Sequence, residues 1–405
     1  MPKQAFAALL VLSMLVLAGC GQLQEAGSSG RDILFLRSNR GLTVIAAGAE
    51  APSFHAAAVP SRDWTTVIRS SFDRRGTRVW AVDPSAGEVT WEQHLGGRLM
   101  VKLTAEEADM VALAPIRERH FSVGRRHTRL TIAGRSLSEP KSILLKGNYE
   151  PEAFSTDRKS LFVIRFLPAR APTRYQVRRL DIEEGRVHAV YTPDADLQES
   201  MGGTARIQTA SPDGSRLYTL YTTGTGNDRY AFIHVLSLDE IWAHCIDLPP
   251  EFAKHADTAT SISVSPDGRR LYVVNAAAGM MAEVDTSTLE VVKTAPIDFV
   301  VAAHVHSAVD DSGSTVFFTS GNSVAAVNTM DLTVRASWEM DQKVQGVQVA
   351  VDGARVYVGL VDRIVVLDAA SGKQLESIDP PGIKRIQEFG PVIRSIDQAG
   401  IVCAC

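Results

Sequence analysis

The sequence has few cysteines, no strong excess of charge of either sign and no long apolar run beyond its first twenty residues. Only 4 of its 405 residues are cysteine, and the formal net charge is −4. A chain this close to neutral offers no electrostatic basis for binding nucleic acid. Cys403 and Cys405 have neither the spacing of a redox motif nor the second cysteine pair that a zinc site needs.

Catalytic signatures are also missing. There is no Gly-rich phosphate loop between a strand and a helix, no Gly-x-Ser-x-Gly elbow and no His-Glu-x-x-His motif. Glu183 and Glu184 are adjacent carboxylates, but they lie in a predicted turn and are interpreted as solvated. His244 and Cys245 are neighbours on a predicted strand, where successive side chains point to opposite faces, so the histidine does not activate the thiol. These features favour a binding protein over an enzyme.

The N-terminus has the pattern of an export signal. Lys3 precedes an apolar run over residues 6–17, which is too short to span a bilayer as a helix. The run ends in Leu-Ala-Gly-Cys, which resembles the bacterial lipobox, and this resemblance implies that Cys20 is lipidated. We therefore expect a signal peptide over residues 1–19 and a flexible tether over 20–30. The alternative is an ordinary signal peptide with a chance cysteine.

One short unit recurs along the chain. In residues 265–274 a Ser-Pro-Asp-Gly turn leads directly into the alternating apolar strand Leu-Tyr-Val-Val. Asp bonds its own backbone in such turns, and Gly adopts positive φ without steric cost. Seven copies can be aligned, with the third turn position at 62, 107, 157, 213, 267, 312 and 352. Spacings of 40–56 residues are typical of the four-stranded blades of a β-propeller.

The strand pattern predicts an all-β propeller over residues 31–402, with a tail at 403–405. The fifth unit predicts strands at 258–264, 270–275, 281–285 and 290–295, and the seventh at 344–349, 355–359, 363–368 and 374–378. An incomplete copy at the N-terminus has strands at 33–35 and 41–47, and residues 382–389 stand where its first strand is needed. Only 32 residues separate Gly30 from Arg62, too few for a proper fourth strand. Two counts remain open: eight blades with the last one split between the termini, or seven blades and an N-terminal hairpin.

The repeats resemble two propeller families. The unit at residues 265–275, together with Val-Asp-Thr-Ser-Thr at 284–288, is similar to the YVTN (YncE-like) family, whose members are commonly exported and often not catalytic. Residues 81–91 resemble the Trp-docking repeat of pyrroloquinoline-quinone-like propellers. The docking tryptophan is not repeated around the ring, so no quinone is expected. Asp83, Gly87 and Trp91 are interpreted as a strand–turn–strand that packs between blades.

One face of such a ring is the expected binding face. The loops from second to third strand and from fourth strand to the next first strand share this face, here called the channel-mouth face, and ligands usually bind there. The Ser-Pro-Asp-Gly turns lie on the opposite face. The channel-mouth face should gather Tyr149, Glu150, residues 201–203, 254–257 and 302–306, and the long loops 117–127, 168–174 and 222–229.

Two candidate sites follow on that face. His304 and His306 are two residues apart at the start of a predicted strand and point the same way, and His255 would approach from the adjacent blade to share a metal ion. The alternative is a channel lined by hydrogen-bonded histidines. The loop 117–127 is strongly basic, and its arginines are candidates for contact with an anionic lipid, a polysaccharide or an acidic protein. These arginines are Arg117, Arg119, Arg125 and Arg126.

The sequence thus predicts a lipid-anchored, extracytoplasmic propeller at the cell surface or in the periplasm. Its function is predicted to be binding or scaffolding of a protein or envelope component, with no cofactor and no nucleic acid. The alternative is an extracytoplasmic enzyme or a metal- or cofactor-binding propeller with its site at the channel mouth. Cys245 has two candidate disulfide partners, Cys403 and Cys405, and the sequence does not choose between them.

Overall fold

The computed structural model describes residues 32–46, 53–55, 58–84, 86–193, 200–224, 228–254, 259–297 and 305–394. They form eight antiparallel sheets of four strands each, which are the blades of a propeller. Helix is confined to short 3₁₀ segments such as Phe121–Val123 and Pro250–Ala253. Within these ranges, no helix has the length and apolar character needed to cross a membrane.

The 32 strands follow one another around the ring in chain order. The chain begins with three strands of blade 8, namely β1 (Asp32–Ser38), β2 (Gly41–Ala46) and β3 (Ser53–His55). Blade 1 consists of β4 (Val59–Pro60), β5 (Val67–Phe72), β6 (Thr77–Val82) and β7 (Val89–Leu95). Blade 2 consists of β8 (Leu99–Thr104), β9 (Val111–Pro115), β10 (His127–Ala133) and β11 (Lys141–Lys146). Blade 3 consists of β12 (Asn148–Phe154), β13 (Ser160–Leu167), β14 (Arg174–Asp181) and β15 (Val187–Ala189).

The second half of the ring repeats this order. Blade 4 consists of β16 (Thr204–Ala210), β17 (Arg216–Thr223), β18 (Tyr230–Ser237) and β19 (Ala243–Asp247). Blade 5 consists of β20 (Thr260–Val264), β21 (Arg270–Asn275), β22 (Met280–Asp285) and β23 (Glu290–Pro296). Blade 6 consists of β24 (Ser307–Val309), β25 (Thr315–Ser320), β26 (Ser323–Asn328) and β27 (Val334–Glu339). Blade 7 consists of β28 (Gly346–Val349), β29 (Arg355–Gly359), β30 (Ile364–Asp368) and β31 (Gln374–Ile378), and β32 (Ile386–Arg394) returns to blade 8.

The recurrent turn owes its shape to a small hydrogen-bond network. In blade 5, Ser265 Oγ donates to Asp267 Oδ1 at 2.6 Å and accepts from the Arg270 amide at 2.9 Å. Gly268 has a φ of 72°, the left-handed conformation that glycine adopts without strain. Because serine and aspartate satisfy the turn's own backbone, the same local sequence can join the first and second strands of successive blades in the same way.

The ring closes through its termini. Strand β32 pairs antiparallel with β1, with Leu34 opposite Val392 and Leu36 opposite Phe389. The prediction of a split eighth blade is therefore confirmed. The expectation that this blade lacks room for a fourth strand is wrong, because β3 pairs with β2 through Leu42 and His55. Three residues suffice for an outermost strand, and the first strand of the next blade needs only two.

The core is divided among the joints between blades. Eight buried apolar clusters are found, and each joins one blade to the next. At the seam, Leu34 of blade 8 packs in one cluster with Tyr357 of blade 7. On the other side of the same blade, Phe35 packs with Val67 of blade 1. Burial of apolar area at all eight joints makes the closed ring one cooperative body.

Candidate functional site

An arginine-rich surface crosses the channel-mouth face of blades 1 and 2. It is made by the β5–β6 loop, the β7–β8 connection and the β9–β10 loop, and we call it the arginine surface. Its members are Arg74, Arg75, Arg98, Arg117 and Arg119. All five are exposed, and none forms an ion pair with another described residue.

The arginine surface is concave and carries exposed apolar groups. Residues 73–76 with Gly97 and Arg98 line a cavity of about 520 Å³. The Arg98 guanidinium lies 4.2 Å from the centre of the Phe72 ring, and Phe72 is 44% exposed. Ile116, 38% exposed, donates its amide to the Arg98 carbonyl at 3.0 Å and so ties the two loops together. Arginine and apolar side chains are therefore interspersed here with one exposed carboxylate, that of Asp73, whose Oδ1 accepts a 2.7 Å hydrogen bond from the Arg75 amide.

Arg125 does not belong to this surface. It is 6% exposed, and its guanidinium reaches Glu150 Oε1 at 2.7 Å and Glu118 Oε2 at 3.3 Å. It also donates to Asn148 Oδ1 at 2.8 Å and to the Tyr149 carbonyl. Of the predicted contact arginines, Arg117, Arg119 and Arg126 are exposed, whereas Arg125 holds the loop to blade 3.

This arrangement changes the charge that the loop presents. Glu118 is the only acidic residue between 116 and 126, and its side chain is 12% exposed because it turns inward to Arg125. The arginines on either side of it point outward. The buried pair thus leaves the outer surface of the loop wholly cationic.

A deep cleft opens between blades 3 and 4. Its volume is about 580 Å³, within the usual range for a small-molecule site. The walls come from β12, β13 and β14 on one side and from β16 and β17 on the other, and the mouth is formed by loops of the channel-mouth face. The lining includes Phe121, Glu150, Glu152, Phe166, Arg174, Tyr175, Gln208 and Tyr221.

Aromatic rings form much of the cleft wall. Phe121 stacks on Phe166 with centroids 4.3 Å apart, and Tyr175 stacks on Tyr221 at 5.2 Å. The two tyrosines are 6% and 5% exposed. The Tyr175 hydroxyl is buried, and Tyr221 is its hydrogen-bonding neighbour among the described residues. Burial, followed by the charge of neighbouring groups, raises the pKa of both tyrosines.

Two carboxylates lie in the cleft in different environments. Glu150 is paired with Arg125 and has Lys102 at 3.9 Å. Glu152 forms no ion pair with a described residue, and its Oε1 accepts a 2.7 Å hydrogen bond from the Gln208 amide. Burial raises the pKa of Glu152, while the hydrogen bond from Gln208 and the positive charge of Arg62 oppose the rise.

Backbone irregularities place charged residues toward this region. The pairing of β12 with β13 skips Glu152, and the pairing of β8 with β9 skips Lys102, so each is the extra residue of a β-bulge. A third bulge interrupts β16 between Ala205 and Ile207. Bulges turn a side chain out of the regular alternation and are common beside functional sites.

The predicted histidine site is only partly described. His306 lies just before β24, where its amide donates to Thr319 Oγ1 at 3.1 Å and its carbonyl accepts from the Thr319 amide at 2.9 Å. His255 and His304 lie outside the described residues. Within those residues, no three His, Cys, Asp or Glu side chains are grouped so as to hold a metal ion. The metal site therefore stays a prediction.

The predicted disulfide and lipidation sites are also only partly described. Cys245 is an exposed residue of β19, opposite His234 on β18. Its two candidate disulfide partners, Cys403 and Cys405, lie outside the described residues, as does Cys20. Neither the disulfide nor the lipidation is tested.

The segment that resembles a Trp-docking repeat acts between blades. Trp91 of β7 donates its indole N–H to the Ala108 carbonyl at 2.8 Å, in the turn that precedes β9 of the next blade. Asp83 and Gly87 form the turn before Trp91, where the Gly87 amide donates to the Asp83 carbonyl at 2.8 Å.

Sequence reasoning missed the residues that give the cleft its chemistry. The loops 117–127 and 168–174 and Glu150 were expected on this face, and they do contribute to the cleft lining. Glu152, Tyr175 and Tyr221, however, lie within strands, where an alternating pattern suggests ordinary packing. The only local signal was the interruption of the β12 pattern by Pro151 and Glu152.

Comparison with known proteins supports the fold. Two solved structures of AztD from Citrobacter koseri, one of them apo, are similar to this chain with TM-scores of 0.58 and 0.57 and 14% identity, covering 90% of this chain and 98% of AztD. Sqt1 from Saccharomyces cerevisiae is similar with a TM-score of 0.50 and 8% identity, covering 81% of this chain and 85% of Sqt1. No family model and no curated protein matches the chain. At these identities the likeness establishes the propeller fold alone.

Proposed function

We propose that the protein is a lipid-anchored, extracytoplasmic propeller of the YVTN type that binds an acidic protein partner through its channel-mouth face. The observation that carries this proposal is the arginine surface. Five exposed arginines lie over two adjacent blades without ion pairs to other described residues, and three of them share one cavity with Asp73. The anchor and the address rest on the resemblance of residues 17–20 to a lipobox.

The composition of the surface favours a protein over a lipid bilayer. Protein interfaces are enriched in arginine and aromatic residues and depleted in lysine. The loops that form the arginine surface contain no lysine, and they expose Phe72 and Ile116 between the arginines. Anionic membranes, in contrast, attract lysine and arginine alike. A concave surface also fits a protruding acidic segment better than a flat bilayer.

Arginine is suited to such a partner for a geometric reason. Its planar guanidinium can donate two parallel hydrogen bonds to one carboxylate. Arg98 is already oriented by its contact with the Phe72 ring, so less side-chain freedom is lost when it binds. The remaining arginines raise the association rate by long-range attraction, which salt screens over about 10 Å at 0.1 M.

The proposal is tested by crosslinking in the native membrane. A photoreactive amino acid at Arg75 should capture a partner protein, and the same group at Arg269 on the opposite face should not. The double variant Arg98→Gln, Arg117→Gln should lower the yield at Arg75 by at least about tenfold, as expected for the loss of two charge-assisted contacts. Equal capture at both positions, or capture that is insensitive to the double variant, would contradict the proposal.

The lipid anchor has a separate test. Cys20→Ala should release the protein from membranes into the soluble extracytoplasmic fraction. Ser13→Ala within the apolar run should leave it anchored and serves as the control. Membrane association that is unchanged in Cys20→Ala would refute lipidation at this residue, without bearing on the arginine surface.

A further inference from the structure

The cleft between blades 3 and 4 is a second, independent feature with the properties of a binding site. It is the part of the ring where the walls carry aromatic rings, a carboxylate and an amide around one cavity of about 580 Å³. Its chemistry differs from that of the arginine surface, because its walls present the Glu152 carboxylate beside aromatic rings, while Arg174 lies exposed at the rim.

The charges of the cleft can be followed one by one. Glu150 is compensated by Arg125 at 2.7 Å and by Lys102 at 3.9 Å. Glu152 has only the Gln208 amide at 2.7 Å on one oxygen. Arg62 acts on Glu152 at a distance that forms no ion pair, and Arg174 is an exposed residue at the rim. Among the side chains that the structure describes, no cation therefore contacts the half-buried carboxylate of Glu152.

The surroundings of Glu152 suit a positively charged group. Glu152 and Tyr175 line one side of the cleft and Tyr221 lines the other, and the charge of Glu152 contributes to the raised pKa of both tyrosines. The faces of aromatic rings attract cations, most strongly where water is excluded. The buried Tyr175 hydroxyl has Tyr221 as its polar neighbour and can still accept a hydrogen bond from a polar group.

We propose that this cleft binds a cationic group, an ammonium or guanidinium on an apolar stem, which pairs with Glu152 and packs against the rings of Tyr175 and Phe166. The stem lies along the aromatic wall, and the charged end reaches the bulge of β12. The cation can be carried by a small organic amine or by a lysine or arginine side chain of a polypeptide. This site does not depend on the arginine surface.

A bound cation would offset the cost of burying the Glu152 carboxylate. A carboxylate transferred from water into a half-buried wall is disfavoured in its charged form, which is the physical cause of its raised pKa. A bound cation removes that cost by stabilising the ionised form. Binding must then lower the pKa of Glu152 and release protons in the pH interval between the free and bound values.

The test is calorimetric titration of the full mature chain with two pairs of probes. Benzylamine and the peptide acetyl-Gly-Lys-Gly-amide carry the cation, and benzyl alcohol and the norleucine peptide are their neutral counterparts. We expect each cationic probe to bind at least about tenfold more tightly than its counterpart, as for other charge-assisted contacts. Saturable binding of benzylamine alone identifies a small amine as the cargo, and binding of the peptide identifies a side chain.

Variants locate the site. Glu152→Gln keeps the size of the side chain and should weaken the cationic probe by about tenfold to a hundredfold. Glu376→Gln, at an exposed position of β31, is the matched control and should change nothing. Tyr175→Phe, which removes only the buried hydroxyl, should weaken binding less than Glu152→Gln does. Unchanged melting temperatures exclude loss of fold as the cause.

Proton release gives a readout that a merely structural role of Glu152 does not produce. Titrations in two buffers of different ionisation enthalpy should show proton release in the wild type and none in Glu152→Gln. The proposal is overturned if neutral and cationic probes bind equally, if Glu152→Gln binds benzylamine as tightly as the wild type, or if neither cationic probe saturates below about 10 mM, the weak limit of specific binding.

Discussion

Arg125 offers the sharpest test of how the channel-mouth face is held together. The perturbation is Arg125→Ala, which removes one guanidinium from between two carboxylates. Glu118 and Glu150 come from different blades, and Arg125 joins them at 3.3 and 2.7 Å. The truncation leaves both carboxylates half-buried and without their main partner, and it frees the Asn148 amide oxygen as well.

The size of the effect follows from burial. The side chains of Arg125, Glu118 and Glu150 are 5%, 12% and 20% exposed, so none is well screened by water. Removing one partner from a buried ion pair destabilises a protein by about 3–5 kcal/mol. Lys102 remains 3.9 Å from Glu150 and compensates part of that charge. We therefore expect a loss of about 3 kcal/mol, at the lower end of that range.

Urea unfolding monitored by tryptophan fluorescence measures this loss. With a denaturant slope near 3 kcal/mol per molar, the midpoint should fall by about 1 M. Arg126→Ala is the control, because Arg126 is the next residue in the chain and is exposed. Its effect should stay within about 0.5 kcal/mol. Equal midpoints for the two variants would refute the assignment of Arg125 as a buried link between blades.

Two further predictions concern the seam and a buried histidine. Asp32 is 4% exposed and accepts hydrogen bonds from Tyr357 Oη at 2.8 Å and Arg355 Nη2 at 3.2 Å, so Asp32→Ala should cost about 2–3 kcal/mol in urea unfolding. A loss no greater than that of Asp32→Asn, which keeps an acceptor, would count against this role. Burial, aided by the charge of His244, lowers the pKa of His234 from 6.5 to about 4. Above pH 6.5 His234 is neutral in both the folded and the unfolded protein. As the pH falls toward 4 the unfolded protein binds a proton at this residue before the folded protein does. Wild-type stability should therefore drop over that interval by about 3 kcal/mol more than that of His234→Leu. Parallel pH profiles would contradict this linkage.

The local sequence pattern was sufficient to predict a propeller of four-stranded blades. The Ser-Pro-Asp-Gly turn and the strand after it are specified by neighbouring residues, because Ser265 and Asp267 satisfy the backbone of their own turn. Strands of the fifth unit were therefore predicted to within two residues. The period also indicated a first strand at residues 382–389, near the observed β32 (Ile386–Arg394), but it left open whether the ring has seven or eight blades. The three-residue strand β3 was missed because so short a segment has no periodicity of its own.

Site chemistry depended on pairs that are distant in the sequence. Arg125 and Arg126 are equivalent by residue type, and both were predicted to contact a partner. Only the position of Glu150 shows that the first is buried and the second exposed. The cleft depends similarly on Glu152, Tyr175 and Tyr221, which come from three different strands.

The sequence by itself determined the repeat and the turn between the first two strands of a blade, since both follow from contacts between near neighbours or from a regular period. The choice between seven and eight blades was decided by the pairing of β32 with β1. The sequence also supplied the basis for the lipid anchor, which stays a prediction. The tertiary structure alone decided which charges are compensated. Glu118 turns inward to Arg125, while no cation among the described side chains contacts Glu152 in its cleft. Whether a carboxylate is compensated depends on whether a cationic side chain, often from another blade, lies within a few ångströms of it. The order of residues along the chain does not give that distance.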